Sequence, residues 1–482
     1  MMNGHSTDER RTNMKGVPVR SARSGSAAAI RRRGAAVGRR TVELSGRAKS
    51  RLIGFVARRA VAWQTARGRS PLALLPASVT MPLRRNGLDP LPELAAMREK
   101  APVNKLPLPF GVNVWLVTGY EEAKQVLADT ERFSNDFANI AADPSLAAAI
   151  GGNADEKDPG GLGMADPPDH TRLRKILTPE FTMRRLSRLT PMLEAIVEGQ
   201  LDAIAADAAS KGGGGPVDLV ELFSLPIPSL AICELLGVPY ADRDAFQRLS
   251  VARFDLFAGA GASLGAISES LDYLMGVVAQ QRKDPGDGLL GMIIREHGDA
   301  IDDRELAGLA DGILVGGFET TASMIALGAL VLLQDHTTRD LIRTDPDAIG
   351  PFVEELLRYL TVVQVAFPRF AREDCEVAGV RIGAGDVVLV SLSGADRDPA
   401  LTDGEGNLDL VDPQRAPTKH LAFGYGAHRC IGAELAKMEL RIAYPALVRR
   451  FPTARLAVDP SDLKYRQTSI VYGVEKLPVI LG

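Results

Sequence analysis

Phe423-Gly-Tyr-Gly-Ala-His-Arg-Cys430-Ile-Gly432 holds one of only three cysteines in the chain. Gly424 and Gly426 precede that cysteine. A run with apolar residues at helical spacing follows it: Ile431, Leu435, Met438 and Ile442. Cys430 is therefore expected at a helix N-terminus, where unpaired amides and the positive end of the dipole favour thiolate over thiol. The two glycines allow a tight turn whose backbone comes close to a flat ligand, where a β-carbon would collide. Phe423 is placed to lie beside the sulfur and keep water away. A lone cysteine without context is most often a small buried hydrophobe, so the reading depends on the rest of the chain.

The spacing Phe-x-x-Gly-x-x-x-Cys-x-Gly resembles the haem-binding loop of the cytochrome P-450 monooxygenases, with every fixed position present. The resemblance implies haem b held through Cys430, whose thiolate would push electron density toward the iron and favour O–O cleavage. It also implies a fold that is mainly α with a small β-rich portion, of the soluble bacterial type, with a long central helix over the haem.

That helix is legible in the residues themselves. The longest helical signal runs from Asp303 to about Asp335. Asp302 is set to cap it, with Glu305 three residues on in a capping-box relation. Leu306, Leu309, Ile313, Leu314, Ile325, Leu327 and Leu330 make it apolar nearly all round, which predicts burial through the domain centre. Its middle reads Gly316-Gly317-Phe318-Glu319-Thr320-Thr321. Each interior glycine costs about 1 kcal/mol relative to alanine, and a buried glutamate costs more unless paired or protonated. Rules broken together at one spot point to function. Close packing between helices would explain the glycines but not Glu319. In the family that the loop resembles, this segment implies room for dioxygen at Gly316 and Gly317 and a local opening of the helix. It also implies an acid–alcohol pair, matched by Glu319 and Thr320, that handles protons during oxygen activation.

Asp166-Pro-Pro-Asp-His170-Thr-Arg172-Leu-Arg174-Lys175 marks another helix start, with His170 and Arg174 four apart on one face. Taken alone it reads as a solvated basic helix. The resemblance makes His170 and Arg174 contacts of a haem propionate, and implies the same for Arg369 and His428. Glu355 and Arg358 stand at i, i+3 and would ordinarily be a surface pair. By resemblance they form a structural pair in the core behind the haem. Val362, Val363, Val365 and Phe367, with Phe257 and the long loop 134–165, are expected to line an apolar pocket, with Gln364 a polar contact. Residues 376–390 read as a β-hairpin turned at Gly383 and Gly385. Val112–Val117 reads as a strand, and Glu121 to about Asp129 as a helix.

The bulk of the 482 residues, 45% hydrophobic and 24% charged, is that of a soluble globular protein. Three scattered cysteines make no disulfide framework or zinc pattern, which predicts a reducing, cytoplasmic setting. No 20-residue apolar span is read, so no transmembrane anchor is expected. Residues 1–70 hold 17 of the 57 Lys and Arg but only 3 of the 60 Asp and Glu. That split divides the chain into a basic extension, 1–70, and a catalytic domain, 71–482. Within the extension, residues 46–66 can form a basic amphipathic helix suited to weak membrane-surface contact. A plain solvated extension, or translation begun upstream of the natural start, accounts for it as well.

The function expected is haem-thiolate monooxygenation: one atom of O2 enters an apolar small molecule as a hydroxyl or epoxide, and the other becomes water. No flavin domain or cysteine cluster for an iron–sulfur centre is read in the chain. Electrons are therefore expected from NAD(P)H through a separate ferredoxin and reductase, which would dock on Arg172, Lys175, Arg429 and Lys437. No nucleic-acid partner is expected. A peroxide-driven peroxygenase is the alternative, which the acid–alcohol pair argues against. A non-catalytic partner protein of this fold is a further one, which Cys430 argues against.

Overall fold

The structure, a computed structural model, describes residues 80–107, 113–136, 161–212, 214–243, 246, 260–402, 406–415 and 418–482. The basic extension, the amphipathic segment 46–66, Phe257 and most of the loop 134–165 lie outside the described residues.

Eleven longer helices carry the fold among the described residues: α1 Pro92–Lys100, α2 Tyr120–Ala128, α3 Asp169–Leu177, α4 Thr190–Ser210, α5 Pro226–Leu236, α6 Ala260–Lys283, α7 Leu289–His297, α8 Asp303–Gln334, α9 His336–Thr344, α10 Ile349–Leu360 and α11 Ala433–Arg450. The central helix α8 runs 32 residues without a break, about 48 Å at ~1.5 Å per residue. The Asp302 carboxylate accepts a hydrogen bond from the Glu305 amide at 2.7 Å and caps the helix as expected. The reciprocal half of the capping box is not made, because the Glu305 side chain pairs with Arg172 instead.

Two apolar cores meet along α8. Its first half, Leu306 to Phe318, packs with α5, α6 and α7. Its second half, Met324 to Leu333, packs with α4, α10 and α11. By length and composition α8 could cross a membrane, contrary to the reading that no such apolar span exists. Most of it is buried inside the protein, as befits the core helix of a domain. The all-round burial expected from its sequence fails on one strip: Gly312, Val315 and Gly316 are exposed.

Close approach in the second half rests on Gly328. A β-carbon there would overlap the Tyr444 hydroxyl and lie 2.7 Å from Leu356 Cδ2. The space lets the Tyr444 hydroxyl donate to the Met324 carbonyl at 2.5 Å, tying α11 to α8.

The β-rich portion is small. One mixed sheet has the order Val103–Leu106, Val114–Val117, Val387–Val390, Arg369–Ala371, Phe133–Ser134. Val387–Val390 runs parallel to Val114–Val117 and antiparallel to Arg369–Ala371. The hairpin expected over 376–390 is placed differently. It spans Cys375–Val377 and Val380–Ile382, with its turn at Ala378 (φ 50°) and Gly379 (φ 75°). Two successive left-handed residues close a two-residue hairpin. Gly385 (φ 84°) instead redirects the chain into the larger sheet.

Candidate active site

The Cys430 loop is closed by its own backbone. The Cys430 amide donates to the Phe423 carbonyl at 2.8 Å, and the Gly424 amide donates to that of Leu421 at 2.7 Å. Gly424 (φ 68°) and Gly426 (φ 75°) both take left-handed conformations. A β-carbon at Gly426 would stand 2.6 Å from the Leu127 carbonyl oxygen at the end of α2, whereas at Gly424 it would meet open space. Helix α11 starts at Ala433 behind an N-cap at Gly432, so Cys430 precedes the cap by two residues. The Gly432 amide still acts on the sulfur and favours its anionic form.

Burial pushes the Cys430 thiol up, and this outweighs the Gly432 amide and the nearby Arg174 and Arg429, which pull it down. The amide at the helix start thus favours the thiolate, while burial opposes it. A metal cation coordinated by the sulfur would favour the thiolate further. The side chain is accessible all the same.

His170, Arg174, Arg369 and His428 converge beside this loop. The two imidazole rings lie 4.0 Å apart between centroids. Burial is the main cause that lowers the pKa of all four. His428 is pushed down to about 3, with His170 and Arg369 next among the causes, and Arg369 is lowered to about 10. Both ring nitrogens of His170 and Nε2 of His428 are buried without a hydrogen-bond partner. Arg369 donates to the Phe367 carbonyl at 2.9 Å, and Arg174 forms no ion pair among the described residues. Asp166 is the acid that acts on this group. Its oxygens already accept from the Asn135 amide (2.8 Å), Arg372 (2.6 Å) and the Ser134 hydroxyl. Two guanidinium groups crowded in a dry place beside imidazoles with unpartnered buried nitrogens are costly. An anion among them removes that cost.

On α8 a β-carbon at Gly316 would meet open space, whereas at Gly317 it would lie 3.2 Å from Ile232 Cδ1. Gly316 therefore opens the helix face, while Gly317 serves contact with α5. The helix is continuous here and shows no local opening. The Thr320 hydroxyl donates to the Gly316 carbonyl one turn back at 2.8 Å. Glu319 is not left alone: Arg466 Nη1 stands 3.1 Å from its Oε1. Burial raises the Glu319 carboxyl to about 7, against the pull of Arg466.

The expected pocket wall divides. Phe367 is 54% exposed, and Val315, on the bare strip of α8, 40%. The segment Leu162–Met164 packs on α8, and the Phe367 ring lies 3.2 Å from where a Gly163 β-carbon would stand. Val362 belongs to the core beneath. Gln364 is removed from the wall because its amide is fully engaged. It accepts from Arg85 Nε at 2.9 Å and donates to the Leu83 and Ser469 carbonyls at 3.0 and 2.8 Å. Lys437 is likewise removed from the proposed docking face. It is buried and pairs with Glu354 at 2.8 Å. A separate groove of about 460 Å³ between α4, α9 and α11 contains none of these residues.

Sequence reasoning missed Arg466 and the exposed face at Gly312 and Val315. Gly312–Gly316 and Val315–Glu319 are i, i+4 pairs, so the strip was present in the spacing. Arg466, 147 residues from Glu319, had no such signal.

This arrangement fits a haem on the structure's own terms: an accessible sulfur in an enclosed loop, orphan donors for anionic groups, and a bare strip on the central helix. The comparisons agree. Residues 268–476 match the family model described as cytochrome P450. Cytochrome P450 FAS1 of Rhodococcoides fascians is 42% identical over 405 residues, covering 83% of this chain and 98% of the relative. Mycinamicin IV hydroxylase/epoxidase of Micromonospora griseorubida is 35% identical, covering 82% and 96%. The solved structure of P450 StaH from glycopeptide antibiotic A47934 biosynthesis superposes with a TM-score of 0.72 at 39% identity, covering 83% and 99%. By class, this is a haem-thiolate monooxygenase. The chain belongs to the cytochrome P450 family.

Proposed function

We propose that Cys430 ligates the iron of haem b and that His170, Arg174, Arg369 and His428 receive its propionates. The buried, partnerless ring nitrogens of His170 beside the enclosed sulfur carry this reading. Gly424 leaves the loop open toward a flat ligand, and Phe423 shields the sulfur. When bound, the haem supplies dioxygen binding and its reductive splitting, with one atom going to substrate and one to water.

The chain's own residues do the rest. Gly316 leaves space at the bare strip of α8. Glu319, with a carboxyl near neutrality, can hold and release a proton. The Thr320 hydroxyl can exchange its bond to the Gly316 carbonyl for one to a ligand in that space. Thr320→Ala should therefore divert reductant into peroxide, lowering product formed per reductant consumed by about tenfold or more. Peroxide assay beside product assay measures this, and unchanged coupling removes Thr320 from the role.

The substrate is read as an apolar small organic molecule, lying against Phe367 and Val315. The hydroxylase/epoxidase activity of the mycinamicin relative points to the same reactions here. A compound panel screened for the spin-state shift of the ferric protein tests this reading. Compounds that shift it should be oxygenated, and a panel with no shift would overturn the pocket assignment.

Electrons are proposed to come from NAD(P)H through a ferredoxin and its reductase, in the cytoplasm, with residues 71–482 as the catalytic domain and 1–70 as an extension. Lys175 and Arg429 are exposed and form no ion pair among the described residues, whereas Arg172 is engaged by Glu305. Lys175→Glu should slow reduction by an acidic ferredoxin severalfold at low salt and little at high salt. Stopped-flow reduction checks this; equal rates at low salt would discard the face.

A further inference from the structure

We propose that Arg466 is a positioning residue for proton handling: it holds Glu319 in an ion pair on the central helix, its guanidinium seated in the space left by the missing side chain of Gly473. The proposal rests on the reading of Glu319 as the proton-handling acid.

The geometry is specific. Arg466 Nη1 lies 3.1 Å from Glu319 Oε1, and Nη2 donates to Ser323 Oγ at 2.6 Å. Ser323 stands one helical turn after Glu319, so the guanidinium spans that turn. Arg466 sits opposite Gly473: its amide donates to the Gly473 carbonyl at 2.8 Å, beside the Tyr465–Val474 bridge. A β-carbon at Gly473 would overlap Arg466 Nη2 and lie 2.8 Å from Cζ. No side chain but hydrogen therefore leaves the guanidinium where it is.

The support is rigid. The Tyr472 amide donates to the Val362 carbonyl at 2.7 Å, and the Tyr472 hydroxyl to that of Gly87 at 2.5 Å. Tyr465 and Tyr472 stack with centroids 5.6 Å apart. The C-terminal turn thus presents Arg466 to the central helix from a fixed platform.

An isolated carboxyl at this depth would stay neutral, because burial disfavours its charged form. A guanidinium beside it favours the anion. Arg466 is the charged group that acts on Glu319 among the described residues. The neighbours on α8 are the neutral hydroxyls of Thr320 and Ser323, and Ile232 of α5 packs against α8 at Gly317. Asp311 on α8 accepts from Ser270 of α6, and buried Glu439 of α11 exerts no charge effect on Glu319. Opposed burial and pairing hold the acid where it can gain and lose a proton near neutral pH.

The test titrates Glu319 in the ferric holoprotein by its infrared carboxyl C=O band, assigned by its loss in Glu319→Gln. The wild-type band should grow as pH falls through about 7. In Arg466→Met it should appear about one pH unit or more higher, in Gly473→Ala it should move the same way, and Arg466→Lys should return it toward wild type. The pH profile of coupled product formation should shift upward in parallel. Retained thiolate-type carbon monoxide spectra show that the variants fold. A band that titrates identically in Arg466→Met and wild type would overturn the proposal, leaving Arg466 a brace. If the band moves but Glu319→Gln keeps full coupling, the acid reading of Glu319 fails instead, and the proposal built on it falls with it.

Discussion

Glu355→Ala is expected to cost the fold about 3–5 kcal/mol, the range for breaking one side of a buried ion pair. Glu355 is fully buried and Arg358 nearly so. The two carboxylate oxygens accept from Arg358 at 2.8 and 2.9 Å, and Oε1 also accepts from Arg415 Nε at 3.1 Å and the Asp412 amide at 3.2 Å. Arg358 in turn donates to the carbonyls of Asp396, Leu408 and Leu410. Removing the carboxylate strands a guanidinium in the core and frees the meander leading to the Cys430 loop. Denaturant unfolding of the holoprotein should show the loss, accompanied by weaker haem retention. Adding Arg358→Leu should recover only part of it, since three carbonyls then lose their donor. A loss under 1 kcal/mol would mean that water reaches the pair.

The fold class and the Cys430 loop were legible because their signals are local. Helical periodicity, glycines in a tight turn and a cap at Asp302 all lie within a few residues of what they organise. Other features depend on partners far away in the chain. Glu355 and Arg358 have the spacing of a surface pair; the family resemblance placed them in the core, and Asp396, Leu408, Leu410 and Arg415 are the distant partners that hold them there. Gln364 looks like a polar contact in an apolar pocket until Arg85 and Ser469 take up its amide. Lys437 reads as a surface charge until Glu354, on another helix, pairs with it. Arg466 had no pattern at all. Periodicity identifies which face is buried, but it does not say which distant group meets a charge there.

Cys430→Ala should abolish thiolate ligation and with it monooxygenase activity, the largest functional effect of any single change here. The Cys430 loop is held by backbone bonds from Leu421 to Cys430 and by Gly426 against α2, none of which needs the sulfur. The variant should therefore fold and, through His170, Arg174, Arg369 and His428, still associate weakly with haem. Its reduced carbon monoxide complex should lack the red-shifted band of a thiolate-ligated haem. A variant that kept that band would move the ligand to another residue.

X-ray absorption at the iron edge of the full-length protein, grown with haem precursor, tests the central claim most directly. A sulfur in the iron's first coordination shell, absent from Cys430→Ala, is the predicted result. A first shell of nitrogen and oxygen alone, or a protein without iron, would contradict it.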